Sequence, residues 1–537
     1  MRRLAADIVA LYGRTAPARL IGLYHETGGP FSFLGRYWTT QHFSKVPQHW
    51  HASYASTYRL MGAGMLAQVI YGLVLIYLGS FQDTAGAIYL GVAVIVSYPL
   101  VWAHILFMLA FVWTLLHPKR WGKAILCIVL ERQVKKLRRK NKFTIVAVAG
   151  SVGKTSTKLA IAKTLAASKR VRYQEGNYND RLTVPLVLFN AAQPAIFNVW
   201  AWLKILAHNH QKLKQPYPFD IAVVELGTDG PGQMRRFAYL KPELGVLTGV
   251  TDEHMEQFGN LDNVAKEELT IFNYCRQVLV NVADTPRKYL KDRIFTSYDT
   301  ADQADYSVKV SGAVTVKGQK LSMNLAGKSL TFTGRLLGQQ GAKITLAAAA
   351  ISHILGMDNK ELKAALTALE PVAGRLQRLK GSKNTIILDD TYNASPTAVK
   401  AALDVLYQLK GGPRIAILGG MNELGDTSKA SHKEIGSYCD AKKLKLVVTI
   451  GAEAKQYLAP AAKKAGCTVK SFLDPREAGE YVKANLKPKS IILGKGSQNG
   501  VFAEEAVKVL LANPKDADKL VRQSRYWMQI KHSQFGW

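Results

Sequence analysis

The chain alternates between two kinds of hydrophobic pattern. From Leu60 to Phe81 it reads LMGAGMLAQVIYGLVLIYLGSF, uncharged and with Gln68 as its one strongly polar position, about the length that a helix needs to cross a bilayer. A second apolar run covers 85–116, broken by Pro99 and His104. Neither run has the polar stripe of a globular surface helix, so the pattern predicts a transmembrane helical hairpin over 60–118. After Lys142 the pattern changes to short β-branched runs alternating with Ala- and Leu-rich stretches, as in FTIVAVAG followed by KTSTKLAIAKTLAAS. That alternation predicts α/β units around a largely parallel sheet. Further strands are expected at 220–227 and 244–250, antiparallel hairpins over 306–334 and a helical stretch over 342–370. VAGRLQRLKG, 372–381, reads as a hinge, after which strands at NTIILDD, RIAILGG, LKLVVTIG, CTVKSF and SIILGKGS make a second α/β unit to about residue 512.

These patterns divide the 537 residues into an N-terminal segment 1–59, the hairpin 60–118, a basic linker 119–142, a central domain 143–371, a C-terminal domain 372–512 and a tail 513–537. Charge refines the picture. Lys and Arg outnumber Asp and Glu by 71 to 39, which favours anionic partners. Residues 1–142 hold seventeen Lys or Arg against Asp7, Glu26, Asp83 and Glu131, with seven cations before the first apolar run and ten after the second. By the positive-inside rule both termini and the two α/β domains are expected on the cytoplasmic side of a cytoplasmic membrane. The run RQVKKLRRKNK, 132–142, then reads as lying beside an anionic lipid surface. Nucleic-acid binding and an ordinary solvated helix face are the competing readings of the same run. The four cysteines form no CxxC pair and read as reduced thiols.

Chemistry concentrates where strands are expected to end. In GSVGKTS, Gly150 and Gly153 let backbone N–H groups turn toward phosphate oxygens at a helix N-terminus, flanked by Ser151 and Ser156. Lys154 is placed to reach terminal phosphates and Thr155 to offer its hydroxyl to Mg2+. Glu225 closes the strand IAVVE and His254 follows GVLTGV, both at carboxyl ends where open α/β sheets bind ligands. Either holds a divalent ion or merely caps a helix and decorates the surface. Asp389 and Asp390 end TIILDD, and KGSQN, 495–499, is a polar loop after a strand.

Taken in order, these residues resemble the Mur ligase family, most closely its MurF type. The matching motifs are GSVGKTST, EGNYND with VPL, VVELGTDGPGQM, TDEHMEQFG, Gly374–Arg375, DDTYNASP, ILGGMNELG and KGSQN, spread over about 143–512. The resemblance implies a P-loop central ATPase domain followed by a Rossmann-like α/β domain. It also implies an ATP- and Mg2+-dependent amide ligase of peptidoglycan precursor synthesis, joining D-Ala-D-Ala to a UDP-linked or lipid-linked wall precursor. In that scheme Lys154, Glu225 and His254 are catalytic, Thr155, Glu225 and His254 hold metal, and Gly150, Ser151, Gly153, Lys154, Thr155, Ser156, Arg375 and Asp390 bind ATP. Asn177, Asn179, Asn393, Lys495 and Ser497 would contact substrate. Two positions depart from the family pattern: Glu268 stands where a carbamylated lysine is usual, with Lys266 nearby, and GQQGAKI, 338–344, replaces the adenine-side motif. An ATP-binding scaffold without ligase activity, and an amino-acid ligase with another acceptor, remain open beside the first reading.

Overall fold

The computed structural model describes residues 16–27, 30–40 and 118–537 apart from 197, 253, 254 and 302, together with positions 6, 10, 44, 70 and 88. Two compact units divide after residue 125. In the first, helices α1 (Ala16–Thr27) and α2 (Pro30–Thr39) pack on each other. Leu20, Leu23 and Phe33 are buried there.

The second unit contains two sheets. The first has nine strands: β1 (Thr144–Ala149), β2 (Val171–Arg172), β3 (Ile221–Glu225), β4 (Leu244–Leu247), β5 (Gln277–Asn281), β6 (Thr296–Asp299), β7 (Tyr306–Thr315), β8 (Gly318–Leu325) and β9 (Lys328–Gly334). Their order is β2-β3-β1-β4-β5-β6-β7-β8-β9. Pairing is parallel from β2 to β7 and antiparallel in the β7-β8-β9 meander. The hydrophobic runs explain this: β1, β3 and β4 are apolar on both faces because helices cover both, whereas β8 and β9 alternate because one face meets water. The expected helical stretch 342–370 is two helices, Gly338–Ile354 and Asn359–Thr367. Gly356 separates them with φ +77°, a left-handed turn that glycine adopts without steric cost.

The second sheet comprises β10 (Gln377–Gly381), β11 (Thr385–Asp390), β12 (Arg414–Gly419), β13 (Leu444–Ile450), β14 (Val469–Phe472) and β15 (Ile491–Lys495). Its order is β10-β11-β15-β12-β13-β14, parallel except for β10. The stretch expected to be a hinge therefore ends in an edge strand. Its polar sequence QRLKG conceals this, because an edge strand buries little.

The basic segment 119–142 is not a linker. Helix α3 (Pro118–Lys140) runs through it and places Cys127, Leu130, Val134 and Leu137 in the interior at helical spacing. Leu130 packs with Leu182, Leu186 and Trp202, and Val134 and Leu137 join the core that holds β1 and β3. Arg138 pairs with Glu243 at 2.5 Å, and Gln133 exchanges hydrogen bonds with Leu206 and Asn209. The run expected to face anionic lipid is thus one face of a helix docked on protein. Among the described residues no helix is long and apolar enough to cross a membrane. Although α3 has the length, its nine Lys or Arg forbid a span. The expectation of a two-span cytoplasmic-membrane protein is corrected to this: no described helix supports a span, and the apolar runs 60–81 and 85–116 on which it rests lie outside the described residues.

Candidate functional site

Register brings the chemistry to one edge. On the first sheet Val148 of β1 pairs with Glu225 of β3, and Ala149 pairs with Leu247 of β4. The loop 150–153, the Glu225 carboxylate and the loop 248–252 consequently leave the sheet together at its carboxyl end. On the second sheet Asp389 and Asp390 pair with Gly494 and Lys495. The two edges border one cleft of about 390 Å3 lined from both.

The phosphate-type loop is held rigidly. Gly150 has φ +120°, and a Cβ there would lie 2.5 Å from Thr248 Oγ1 and 2.8 Å from Thr248 N, so only glycine fits. Its N–H donates to Glu268 Oε2 at 2.7 Å. Ser151 donates its N–H to the Gly249 carbonyl, and its hydroxyl accepts from Thr251 N–H at 3.1 Å. Gly153, at φ +85°, begins helix α4 (Lys154–Leu165), whose first N–H groups face the cleft with the dipole's positive end. Lys154 Nζ lies 3.3 Å from the Ser151 carbonyl.

Glu225 is the electrostatic centre of this half and is 1% exposed. Its Oε1 accepts from Thr155 Oγ1 at 3.1 Å and from Asn179 Nδ2 at 3.2 Å. Its Oε2 lies 3.2 Å from the Lys158 ammonium without receiving an aligned hydrogen bond. Burial pushes the Lys158 amine below the usual lysine range, while Glu225 pulls it back up. A hydroxyl and a buried carboxylate with an incompletely satisfied oxygen form a hard-oxygen donor set that suits Mg2+, which takes one or two protein ligands and completes its shell with phosphates and water. Among the described residues no group of three or more His, Cys, Asp and Glu converges in a self-sufficient metal cage. His254 lies outside the described residues.

Across the cleft, Arg375 stacks over the Tyr392 ring at 4.2 Å. Asp390 accepts from Leu376 N–H at 3.1 Å and from Lys495 Nζ at 2.5 Å, and Lys495 also donates to the Asn393 carbonyl. Asp389 faces inward. Its Oδ1 accepts from Thr391 N–H and Oγ1, and burial pushes its carboxyl up to about 6.

Most of the residues singled out from sequence meet here: Ser151, Gly153, Lys154, Thr155, Ser156, Asn177, Asn179, Glu225, Arg375, Asp390, Asn393 and Lys495 all line the cleft. Gly150 and Ser497 do not; both sit behind it. Ser497 is buried, donating to the Ala394 carbonyl and accepting from Asn422 N–H, and so braces two loops. Glu268 is buried against the Gly150 N–H, while Lys266 is exposed to solvent. The neighbouring Glu267 accepts from Gly232 and Met234 N–H groups, fixing the turn after β3. Paired carboxylates there act as backbone anchors.

Sequence reasoning gave no role to two contributors. Lys158 sits one helical turn after Lys154, a spacing that signals a shared face. The loop at 422–423 also lines the cleft, held by Asn422 Nδ2 to the Gln498 and Asn499 carbonyls and by a buried His432 that accepts from Met421 N–H at 3.0 Å.

Two family domains match the chain: the Mur ligase middle domain over 148–352 and the Mur ligase glutamate ligase domain over 374–498. The UDP-N-acetylmuramoyl-tripeptide–D-alanyl-D-alanine ligase of Bacillus subtilis is 28% identical over 377 residues, covering 69% of this chain and 76% of its own. The Escherichia coli protein of the same name is 27% identical over 380 residues, covering 69% and 77%. In three dimensions MurF of Acinetobacter baumannii superposes with a TM-score of 0.58 at 21% identity over 71% of this chain and 79% of its own. The ADP complex of Thermotoga maritima MurF gives 0.58 at 20% over 73% and 84%.

Proposed function

We propose that this chain, built on a Mur ligase middle domain and a glutamate ligase domain, works as an ATP-dependent, ADP-forming ligase of peptidoglycan precursor synthesis that joins D-Ala-D-Ala to a UDP-MurNAc-tripeptide. One observation carries the reading. A glycine-shaped loop with Lys154, Thr155 and Glu225 forms one wall of a cleft, and Arg375, Asp390 and Lys495 form the other.

A carboxylate is a poor electrophile, so amide formation needs activation. Transfer of the γ-phosphoryl group of ATP to the carboxylate oxygen gives an acyl phosphate and ADP. The amine of the second substrate then attacks the acyl carbon, its proton leaves, and phosphate departs. The protein has to align the reactants, neutralise phosphate charge and keep water out. In this reading the N–H groups of 151–155 hold the phosphate chain and Lys154 stabilises the oxygens of the migrating group. Thr155 and Glu225 hold Mg2+, which supplies charge neutralisation at the phosphate oxygens, and His254 adds a further metal ligand. Arg375 and Asp390 reach the nucleotide from the second sheet. Asn177, Asn179, Asn393 and Lys495 face the reacting ends of the other substrates, with Ser497 supporting them from behind. Lys158 places a buried cation 3.2 Å from the Glu225 carboxylate. Gln340, Gly341 and Ile344 of GQQGAKI also line the cleft, so nucleotide contacts on that side come from an amide, backbone and an apolar side chain.

The two matched domains occupy 148–498, so an acceptor part that extends beyond this cleft is met by residues with no counterpart in either domain. That favours, as a second reading, the same activation chemistry on another carboxylate. Purified protein given ATP, Mg2+, UDP-MurNAc-tripeptide and D-Ala-D-Ala is expected to release phosphate and yield a product heavier by the dipeptide minus water. Lys154→Ala is expected to lower the rate at least about 100-fold, as loss of a charge-stabilising group does. Phosphate release without the amide product, or with another acceptor only, would replace the first reading with the second or with a non-ligase.

A further inference from the structure

Residues beyond the second matched domain touch the cleft's framework in a way that no motif indicates. After Leu510 the chain returns along β10, where Ala512 N–H donates to the Lys380 carbonyl, and reaches Arg522. Arg522 is held at φ +55°, an uncommon conformation for a residue with a side chain. Its guanidinium is almost wholly buried and makes four hydrogen bonds. It grips Glu504 through Nε at 2.9 Å and Nη2 at 2.7 Å, and donates to the carbonyls of Tyr392 at 2.9 Å and Thr391 at 2.5 Å.

Those two carbonyls belong to the turn between Asp390 and Asn393, both of which line the cleft. Tyr392 in turn supports Arg375 under its ring and donates its N–H to the Gly374 carbonyl at 3.0 Å. Val521 covers the same turn from behind: a Cβ on Gly374 would meet Val521 Cγ1 at 2.8 Å. Helix Arg525–Phe535 fixes this segment. Its Lys531, fully buried, forms an ion pair with Glu504 at 2.9 Å and donates to Glu505 at 2.7 Å and to the Arg522 carbonyl at 2.9 Å. Two cations and two anions are thereby balanced in the interior. Such clusters add little net stability but impose one geometry, because each member left alone is costly.

We infer that the C-terminal segment 521–535 is a built-in brace for the nucleotide-facing wall of the cleft, in which Arg522 is a positioning residue that sets the Thr391–Tyr392 turn and, through it, Arg375 and Asp390. The inference rests on the reading of the cleft as an ATP site. Arg522 touches neither substrate, and it acts by fixing the backbone that presents the groups that do.

Two variants test it. Arg522→Lys keeps a cation beside Glu504 but cannot span Glu504 and both carbonyls, since an ammonium lacks the planar fork. Arg522→Gln with Glu504→Gln removes one cation and one anion together, leaving Lys531 paired with Glu505. Each is expected to raise KM for ATP and the Kd for Mg-ADP about tenfold, the order that a small misplacement of a binding group produces, with kcat altered less. Wild-type KM and Kd in either variant, with an intact thermal transition, would overturn the brace. Unfolding of both would assign the cluster to stability alone and overturn it as well. A wild-type protein that does not bind Mg-ADP would instead defeat the ATP reading of the cleft, a separate result.

Discussion

At the scale of single residues, the adjacent aspartates Asp389 and Asp390 show how one step in a strand separates two roles. Alternation along β11 turns Asp390 to the cleft and to Lys495, and turns Asp389 into the core, where burial, opposed by its Thr391 hydrogen bonds, pushes its carboxyl up to about 6. The folded value lies above the unfolded one, so the favourable contribution is complete below about pH 4 and is lost as pH rises through about 6. Asp389→Asn has nothing to ionise. Its Tm is therefore expected to gain on the wild type between pH 4 and 7, by an amount equivalent to at most about 3 kcal/mol. Parallel pH profiles of Tm, read by scanning fluorimetry, would contradict this. The sequence left both aspartates as candidates because two adjacent acids at a strand end read alike, and only the face decides. Glu267 and Glu268 were opaque for a similar reason: their partners are backbone N–H groups of loops 35 and 118 positions away.

At the scale of elements, what was legible was what burial makes repetitive. The strands at 144–149, 221–225 and 244–247 are continuous apolar runs covered on both faces, and the loop after the first carries its own glycines. Helix α3 was hidden by its charge, yet Cys127, Leu130, Val134 and Leu137 recur every three or four positions beneath it. The loop 150–153 is an element whose shape depends on contacts outside its motif, chiefly Thr248, Gly249 and Glu268. Gly150→Ala would force a side chain into backbone atoms at a positive φ. It is expected to lower Tm by several degrees and to weaken Mg-ADP binding more than tenfold, because overpacking of this kind costs about 1–3 kcal/mol and here displaces the loop. Calorimetric titration with unchanged affinity would show that the loop tolerates the shift.

At the scale of the whole second unit, the cleft draws walls from two sheets joined by the turn at 374–376, so a ligand that touches both ties them together. Mg-ADP at about 100 times its Kd is expected to stabilise the native state by about 2.7 kcal/mol, raising Tm, and the Lys154→Ala protein is expected to lose that rise. A thermal shift of equal size in both proteins would place the nucleotide elsewhere. The motifs announced this assembly in order along the chain, whereas Arg522 and Lys531 gave no local sign, since their meaning lies in Thr391, Tyr392, Glu504 and Glu505. Helix α3 carries a consequence of its own for the limits of the folding unit. The family-domain match starts at residue 148, but the core beneath β1 is finished by Val134 and Leu137, each contributing about 1.5–3 kcal/mol by leaving water. A fragment trimmed to the matched domains would lose Thr144–Ala147 of β1 and the helix that covers it, so the domain match and the folding unit have different starting points in this chain.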